Sequence, residues 1–307
     1  MEKIGLYDVD SKIPNLALMR ISAFYKSQGF ETELYKSLWH KTYRKIYASK
    51  IFNFSSGSRI TDDMILGGTG IDLKTKLPEE IKNYAPDYSL YNFPHSIGFA
   101  MRGCRFRCKF CHVPKTEGKA RANKSISAIW TNRSSRFLIL LDNDFFGNPE
   151  WKDRIEEIID LNLLVNFSQG FNIRLITEEQ ASYLSRVKFR NLNCTKKQVH
   201  FAWDRFKDER LIKKGIDICT GAGITPNQMA FYVLIGFDTT PEQDMYRVKY
   251  LRNFGCDPYV MPYDKKDLYQ RHFARWVNHK AMFKTCSFFE YLKTKELTTL
   301  YNDSFAQ

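Results

Sequence analysis

Three cysteines lie within eight residues of one another in the first half of the chain. They are Cys104, Cys108 and Cys111, in the segment MRGCRFRCKFCH of residues 101–112, and their spacing is C-x3-C-x2-C. Thiolates are soft ligands that favour zinc, copper(I) or iron–sulfur centres. Three ligands in one short segment leave a coordination position without an obvious protein ligand, which is typical of a metal site kept open for substrate or cofactor.

Four interpretations of this segment compete. Structural zinc needs a fourth ligand, and His112 directly follows Cys111, an unsuitable spacing for closing a tetrahedron. Residues 108–112 also match the C-x-x-C-H haem-attachment pattern, but such attachment belongs outside the cytosol and we predict no export signal. Three unliganded thiols among arginines would be prone to oxidation. An iron–sulfur cluster fits the residues best.

The segment resembles the signature of the radical S-adenosylmethionine (radical SAM) enzymes, which has this spacing and an aromatic residue before the last cysteine, here Phe110. The resemblance implies that Cys104, Cys108 and Cys111 hold a [4Fe–4S] cluster whose fourth iron is chelated by SAM. It further implies reductive cleavage of SAM to a 5′-deoxyadenosyl radical that abstracts a substrate hydrogen. An electron donor such as a flavodoxin or ferredoxin would then be a partner.

Short apolar strands alternate with helices after residue 95, which indicates a parallel sheet covered by helices. The predicted strands are 96–100, 136–141, 163–167, 199–203, 229–235 and 258–261, and the predicted helices are 149–161, 178–187, 208–222 and 241–253. This α/β pattern fits a doubly wound sheet or an incomplete barrel, and both gather functional residues where strands end. The resemblance covers residues 94–265 and implies an incomplete (β/α)6 TIM-type barrel.

The resemblance also implies SAM-binding residues after the second and third of these strands. Where the family often has Gly-Gly-Glu, this chain has Asp142, Asn143 and Asp144, whose oxygens could accept from the SAM amino group. A turn that caps the next helix is the equally weighted alternative. Gln169 and Arg174 lie in a segment that resembles the Gln-Gly-x-x-x-Arg of the methylthiotransferase-like branch. Arg174 would pair with the SAM carboxylate, and a surface salt bridge is the alternative.

Two further candidates follow the fourth and fifth strands. Asp204 would accept hydrogen bonds from the SAM ribose hydroxyls. Gly236 lies in a strand that resembles the family's G-x-I-x-G-x-x-E, although the first glycine is missing and Asp238 stands near the acidic position. A glycine at a strand end permits close approach of a ligand, here the adenine, whereas the apolar residues of that strand are explained by core packing.

The first 92 residues predict a small Rossmann-like α/β domain that precedes the barrel. Its predicted strands are 4–9, 31–35, 51–54 and 64–66, with a helix at 14–28. The glycine-rich turn at 67–70 lacks the spacing of a dinucleotide site and resembles a loop of cobalamin-binding-like domains. No Asp-x-His-x-x-Gly is present, so cobalamin is possible but not favoured over a domain that only covers the barrel. The predicted domains are therefore 1–92, 93–265 and a basic helical extension at 266–307.

The other four cysteines show no cluster motif. They are Cys194, Cys219, Cys256 and Cys286. Methylthiotransferases need a second cluster, and distant residues can converge in space. We interpret these four as buried thiols, so sulfur insertion is not favoured.

The net charge of +13 is concentrated around the cysteine segment. Residues 101–136 contain ten basic residues and one acid. An anionic partner, either nucleic acid or a phosphorylated small molecule, is one explanation. Compensation for the negative charge of cluster thiolates is the other.

Composition narrows the class of protein. With 43% hydrophobic residues the chain can form a core, and no apolar run approaches the ~20 residues of a membrane helix. The N-terminal residues do not resemble a signal peptide, so we expect a cytoplasmic protein without a membrane partner. The predicted function is that of a radical SAM enzyme of unknown substrate; the alternative is a non-catalytic zinc- or iron–sulfur-containing nucleic-acid-binding protein.

Overall fold

The computed structural model describes residues 2–295. Part of the predicted C-terminal extension, residues 296–307, lies outside the described residues. The strands are Lys3–Asp8 (β1), Glu31–Leu34 (β2), Tyr43–Ser49 (β3), Ile65–Gly67 (β4), Ser96–Gly98 (β5), Met101–Arg102 (β6), Arg121–Ala122 (β7), Phe137–Leu140 (β8), Leu164–Phe167 (β9), Lys188–Phe189 (β10), Val199–Ala202 (β11), Met229–Ile235 (β12) and Asp257–Pro262 (β13).

Helices follow most of the strands. They are Leu16–Ser27 (α1), Glu79–Lys82 (α2), Val113–Thr116 (α3), Ile126–Ile129 (α4), Trp151–Asp160 (α5), Glu178–Arg186 (α6), Glu209–Gly221 (α7), Pro241–Asn253 (α8), Leu268–Asn278 (α9), Lys280–Thr285 (α10) and Phe288–Lys293 (α11). The α/β class predicted from the sequence is confirmed.

The N-terminal residues form a parallel sheet with the strand order β2-β1-β3-β4. Helix α1 covers it, packing Leu18, Ile21 and Tyr25 against Ile4 and Leu6. The helix begins at Asn15, whose side chain accepts hydrogen bonds from the next turn, and it is followed by a glycine in the left-handed region. Both features are typical helix boundaries.

The predicted third strand at 51–54 is wrong. The strand is Tyr43–Ser49, in which Tyr43, Ile46 and Ala48 are buried while charged residues between them face outward. Residues 51–54 form a turn after it, whose first two amides donate to the carboxylate of Asp10 at 2.7 and 2.9 Å. Lysine and arginine inside β3 masked its apolar positions in the sequence.

Packing accounts for the glycine-rich turn after β4. A Cβ at Gly68, where φ is +97°, would overlap the carbonyl oxygen of Lys50, and a Cβ at Gly70 would lie 2.7 Å from the Phe52 carbonyl. Thr69 Oγ1 donates to the Ile51 carbonyl at 2.8 Å. The turn needs glycine because it lies directly against residues 50–52.

Two parallel sheets follow. Their orders are β10-β9-β8-β5 and β11-β12-β13, and an isolated parallel bridge between Phe171 and Phe201 links the end of β9 to β11. The six strands and four helices predicted after residue 95 are confirmed to within two residues at each end. The short strand β10 and the antiparallel hairpin β6–β7 are not among the predicted elements.

One face of the sheet β11-β12-β13 is open. Phe201, Phe231 and Val233 are buried beneath helices, whereas His200 and Tyr232, which alternate with them, are partly exposed. The sequence predicted a sheet covered by helices, whereas this alternation leaves one face of β11 and β12 partly exposed. Functional groups at the strand ends therefore lie beside an accessible surface.

Helices α9 to α11 are part of the main core. Phe273, Trp276, Phe288 and Tyr291 are buried in the same cluster as the strands of both sheets. These three helices lie within the extension predicted at 266–307 and pack against the sheets. Among residues 2–295 no helix is long and apolar enough to span a membrane.

Candidate functional site

The three cysteines lie in the loop between β6 and α3, which we call the cysteine loop (residues 103–112). Its first residue, Gly103, has φ of +80°, and a Cβ there would overlap the carbonyl oxygen of Lys119 in the returning chain. Gly103 N donates to Glu117 at 2.9 Å and Cys104 N to the Gly118 carbonyl at 3.2 Å. The hairpin thus fixes the chain at the first thiol.

Two acids that follow β8 hold the cysteine loop from the side. Asp142 Oδ1 accepts from the backbone N–H of Met101. Asp144 accepts from Arg105 N at 3.0 Å and binds the Arg105 guanidinium at 2.8 and 2.9 Å in the bidentate geometry that suits a carboxylate. Asn143, between them, is half-buried and its side chain makes no hydrogen bond within residues 2–295. Two predicted SAM-binding acids therefore position the loop.

Asp142 also has an unused oxygen. Its Oδ2 is buried and has no hydrogen-bond partner among the described residues. Burial raises the pKa of this carboxyl to about 7, although the backbone amides and Arg102 favour its ionised form.

The three thiols are half-buried, and they are close enough for Cys104 to interact electrostatically with both of the others. Burial raises the pKa of Cys104 to about 11, and burial followed by the nearby Asp204 raises the pKa of Cys108. Burial also raises the pKa of Cys111. All three are therefore thiols near neutral pH, and a metal must displace their protons to bind.

The donor set suits a cluster with one iron per thiolate. Within residues 2–295 no three His, Cys, Asp or Glu side chains lie close enough together to share one metal ion. A [4Fe–4S] cluster makes a different demand, because each cysteine binds its own iron. The remaining cysteines are dispersed: Cys219 and Cys256 are buried, and Cys194 and Cys286 are half-buried.

Arg174 lies beside the cysteine loop. It follows β9, and its guanidinium pairs with Asp208 at 2.7 Å and donates to Asn172 at 3.0 Å. It also lies 5.4 Å from the centre of the Phe106 ring in the loop. The salt bridge considered from the sequence is present, but it is largely buried and adjoins Cys108.

Asp204, after β11, is the acid with no fixed partner at this site. It makes no hydrogen bond or ion pair with any residue from 2 to 295, although Arg174, Arg247 and Arg205 attract it. Burial outweighs that attraction and raises the pKa of Asp204 to about 6. Asp204 interacts electrostatically with Cys108 and Cys111. Its carboxylate therefore offers a free hydrogen-bond acceptor beside the thiols.

Aromatic rings connect the cysteine loop to β12 and β13. Phe110 packs edge-on against Phe237 with centroids 5.4 Å apart, and Phe237 packs against Tyr263 at 5.0 Å. Gly236 precedes Phe237 with φ of +77°, and the side-chain amide of Gln270 occupies the space that a Cβ would fill. The space beside the Gly236 Cα is thus occupied by a residue of α9.

Gln169 is exposed at the end of β9, and its side chain makes no hydrogen bond within the described part of the chain. The structure therefore brings together Cys104, Cys108, Cys111, Phe110, Asp142, Asp144, Arg174 and Asp204, with Asn143 beside them. Within residues 2–295, Gln169 and Gly236 make no hydrogen bond or ring contact with this group.

Two residues of the site, Asp208 and Arg105, were not predicted from the sequence. Asp208 binds both Arg174 and Arg205, the latter at 2.8 and 2.9 Å, but its position at the start of a helix suggested only a helix boundary. Arg105 was counted as part of a basic segment. No local pattern in the sequence pointed to its partner Asp144, which lies 39 positions later.

No family model matches this chain, and no curated protein or solved structure matches it at a significant level.

Proposed function

We propose that this chain is a radical SAM enzyme in which Cys104, Cys108 and Cys111 hold a [4Fe–4S] cluster. The observation that carries the proposal is the position of the cysteine loop. Its thiols lie where β8 and β11 end, next to the unpaired carboxyl group of Asp204. Active sites of α/β folds gather at such strand ends.

We propose further that β5, β8, β9, β11, β12 and β13 form an incomplete (β/α)6 barrel. Neighbouring strands in each sheet are parallel, and the Phe171–Phe201 bridge joins the two sheets at β9 and β11. Tyr232 crosses the open face and donates to the Ser168 carbonyl at 2.9 Å. The open face would be the inside of the barrel.

Each site residue then has a separate task. When bound, the cluster supplies the electron that cleaves the SAM sulfonium bond. Asp204 accepts hydrogen bonds from the ribose hydroxyls, and Asn143 offers its free amide oxygen to the SAM amino group. Arg174 must share its guanidinium between Asp208 and the SAM carboxylate, since it already donates to Asp208.

Cobalamin is not part of this proposal. Gly68 and Gly70 of the turn at 67–70 are explained by its packing against residues 50–52. The N-terminal part contacts the rest of the chain through α1 and through the turn at 51–54.

The test is formation of 5′-deoxyadenosine. Protein purified and reconstituted without oxygen is incubated with SAM and dithionite, with and without nucleic-acid and small-molecule pools. We expect product from the wild type and none from Cys108→Ala. Asp204→Asn should lower kcat/KM for SAM by about 10- to 100-fold, since one charge-assisted hydrogen bond is weakened.

The matched control is Asp153→Asn, which removes an exposed carboxylate from α5 and should leave the rate unchanged. A wild-type protein that forms no more 5′-deoxyadenosine than Cys108→Ala under all these conditions would refute the proposal. Zinc without sulfide in the same preparation would favour a nucleic-acid-binding protein without catalysis.

A further inference from the structure

We propose that Arg20, Arg102 and Lys124 form a binding site for a phosphate group, at the junction of α1 and the β6–β7 hairpin. This site goes beyond the proposed radical SAM activity. It does not require the cluster, and it can be tested by binding alone.

Arg20 is a cation without a partner. It lies on α1, it makes no hydrogen bond or ion pair with any residue from 2 to 295, and its Nε is buried with nothing to donate to. The residue is half-buried, and a buried donor such as this Nε costs free energy when it has no hydrogen-bond partner. Burial and the neighbouring Arg102 both lower the pKa of Arg20. The protein has thus gathered positive charge at Arg20 without neutralising it.

The other two cations interact electrostatically with Arg20, and contacts with neighbouring residues hold them in place. The Arg102 guanidinium lies 4.0 Å from the centre of the Phe99 ring and pairs with Glu117 at 3.0 Å. Lys124 follows Asn123, which donates to the carbonyl groups of residues 99 and 100 at 2.7 and 2.9 Å. Lys124 makes no ion pair in the described part of the chain. Burial, and to a smaller extent Arg20, lowers the pKa of the Lys124 amine.

The surrounding acids do not balance this charge. Glu117 and Asp142 are the acids that interact with Arg102, and Arg121 adds a fourth cation. Arg121 donates to the Glu117 and Lys119 carbonyl groups instead of to a carboxylate. Four cations and two acids leave an excess of two positive charges when both carboxyl groups are ionised.

A phosphate group matches this excess in charge and in geometry. It carries a charge of about −1.5 to −2 near neutral pH, and its oxygens suit the two-pronged donors of arginine. A free phosphorylated small molecule and the backbone of a nucleic acid both offer such a group. Arg102 is two residues from Cys104, so a phosphate here would hold its molecule near the cysteine loop.

The experiment measures thermal unfolding of the full-length protein in sodium phosphate and in sodium chloride of equal ionic strength. We expect phosphate to raise Tm above its value in chloride, and Arg20→Gln to abolish the increase. In chloride, Arg20→Gln should unfold no earlier than the wild type, because Arg20 has no partner to lose. Arg210→Gln removes an exposed cation from α7 and should keep the phosphate effect.

Two ligands identify the source of the phosphate. A nucleoside monophosphate and a single-stranded oligonucleotide without terminal phosphates are titrated against wild type, Arg20→Gln and Lys124→Gln. At least one should bind the wild type about tenfold more tightly than either variant. Preference for the first indicates a phosphorylated small molecule, and preference for the second a nucleic acid.

The proposal is overturned if phosphate stabilises no better than chloride at the same ionic strength. It is also overturned if both variants bind these ligands as tightly as Arg210→Gln does. Lys124→Gln provides the same comparison if Arg20→Gln does not fold.

Discussion

Two carboxyl groups of the site differ in burial and in surroundings, because Asp142 is buried and Asp204 is half-buried. Asp142 uses one oxygen to hold the backbone of Met101 and leaves the other buried without a partner. Asp204 uses neither oxygen within residues 2–295, although three arginines attract it. The first carboxyl group therefore positions the cysteine loop, and the second is free to accept from a ligand.

The buried oxygen of Asp142 predicts a pH-dependent stability. Its pKa is about 7 in the folded protein against 3.8 ordinarily, so the folded state binds a proton that the unfolded state has released. Because of this group, the free energy of unfolding falls as the pH rises from about 4 to 7. Above that range the buried carboxylate destabilises the folded protein by its full amount. Asn at this position stays neutral and can still accept from Met101 N.

We expect Asp142→Asn to be more stable than the wild type by up to about 4 kcal/mol near pH 8, and by clearly less at about pH 5. Denaturant unfolding at the two pH values measures the difference. The comparison between wild type and variant removes the titration of all other groups. A difference that stays constant with pH would show that Asp142 is not protonated in the folded protein.

At the scale of elements, the site depends on strand ends and on one hairpin. Strands β8 and β11 each end just before an acid that faces the cysteine loop. The β6–β7 hairpin has only two residues in each strand, so its shape relies on the glycine at its corner. Gly103 is at the corner where the chain passes closest to residues 118 and 119.

Gly103→Ala tests this dependence, and Gly118→Ala is its matched control. Both glycines have positive φ, +80° and +77°, but only at Gly103 would a Cβ meet neighbouring backbone. We expect Gly118→Ala to cost about 1 kcal/mol and Gly103→Ala about 2 kcal/mol or more, since the chain must also move.

The same pair should differ in metal content. Gly103→Ala displaces Cys104 and should bind clearly less iron after anaerobic reconstitution, while Gly118→Ala should match the wild type. Equal stability and equal iron content in the two variants would show that the hairpin corner does not position the thiol.

The sequence could predict those features whose pattern lies within a short segment of the chain. The apolar runs of β8 and β12 stand out from their surroundings, and the spacing of the three cysteines is a local pattern. The hairpin strands are too short for any periodicity. Gly236 faces Gln270, which lies thirty-four positions later. The hydrogen bond from Arg105 to Asp144 joins residues 39 positions apart. Such contacts arise only when the chain is folded.

At the scale of the whole molecule, the N-terminal sheet and the larger part of the chain share a core. Met19 of α1 is fully buried against Ile97 and Phe137 of the second sheet. Elsewhere the ammonium group of Lys265, after β13, lies 3.5 Å from the centre of the Phe54 ring. Two separate contacts of this kind favour unfolding as one unit.

Met19→Ala should therefore destabilise the whole chain. Removing a buried methionine side chain costs about 2–5 kcal/mol, and we expect one cooperative transition that shifts as a whole in calorimetry. Leu38→Ala, at an exposed position of the N-terminal part, should change stability by less than about 0.5 kcal/mol. Two resolved transitions, of which Met19→Ala moves only the first, would show that the two parts unfold independently.

The central claim is that three half-buried thiols of the cysteine loop hold a four-iron cluster, and the most direct measurement is the iron and acid-labile sulfide content after anaerobic reconstitution. We predict about four irons and four sulfides per chain, with broad absorption near ~400 nm. Cys108→Ala should lose both, and Cys194→Ala, which changes a half-buried cysteine outside the loop, should retain them. Zinc without sulfide in the wild type, or equal iron and sulfide in wild type and Cys108→Ala, would contradict the claim.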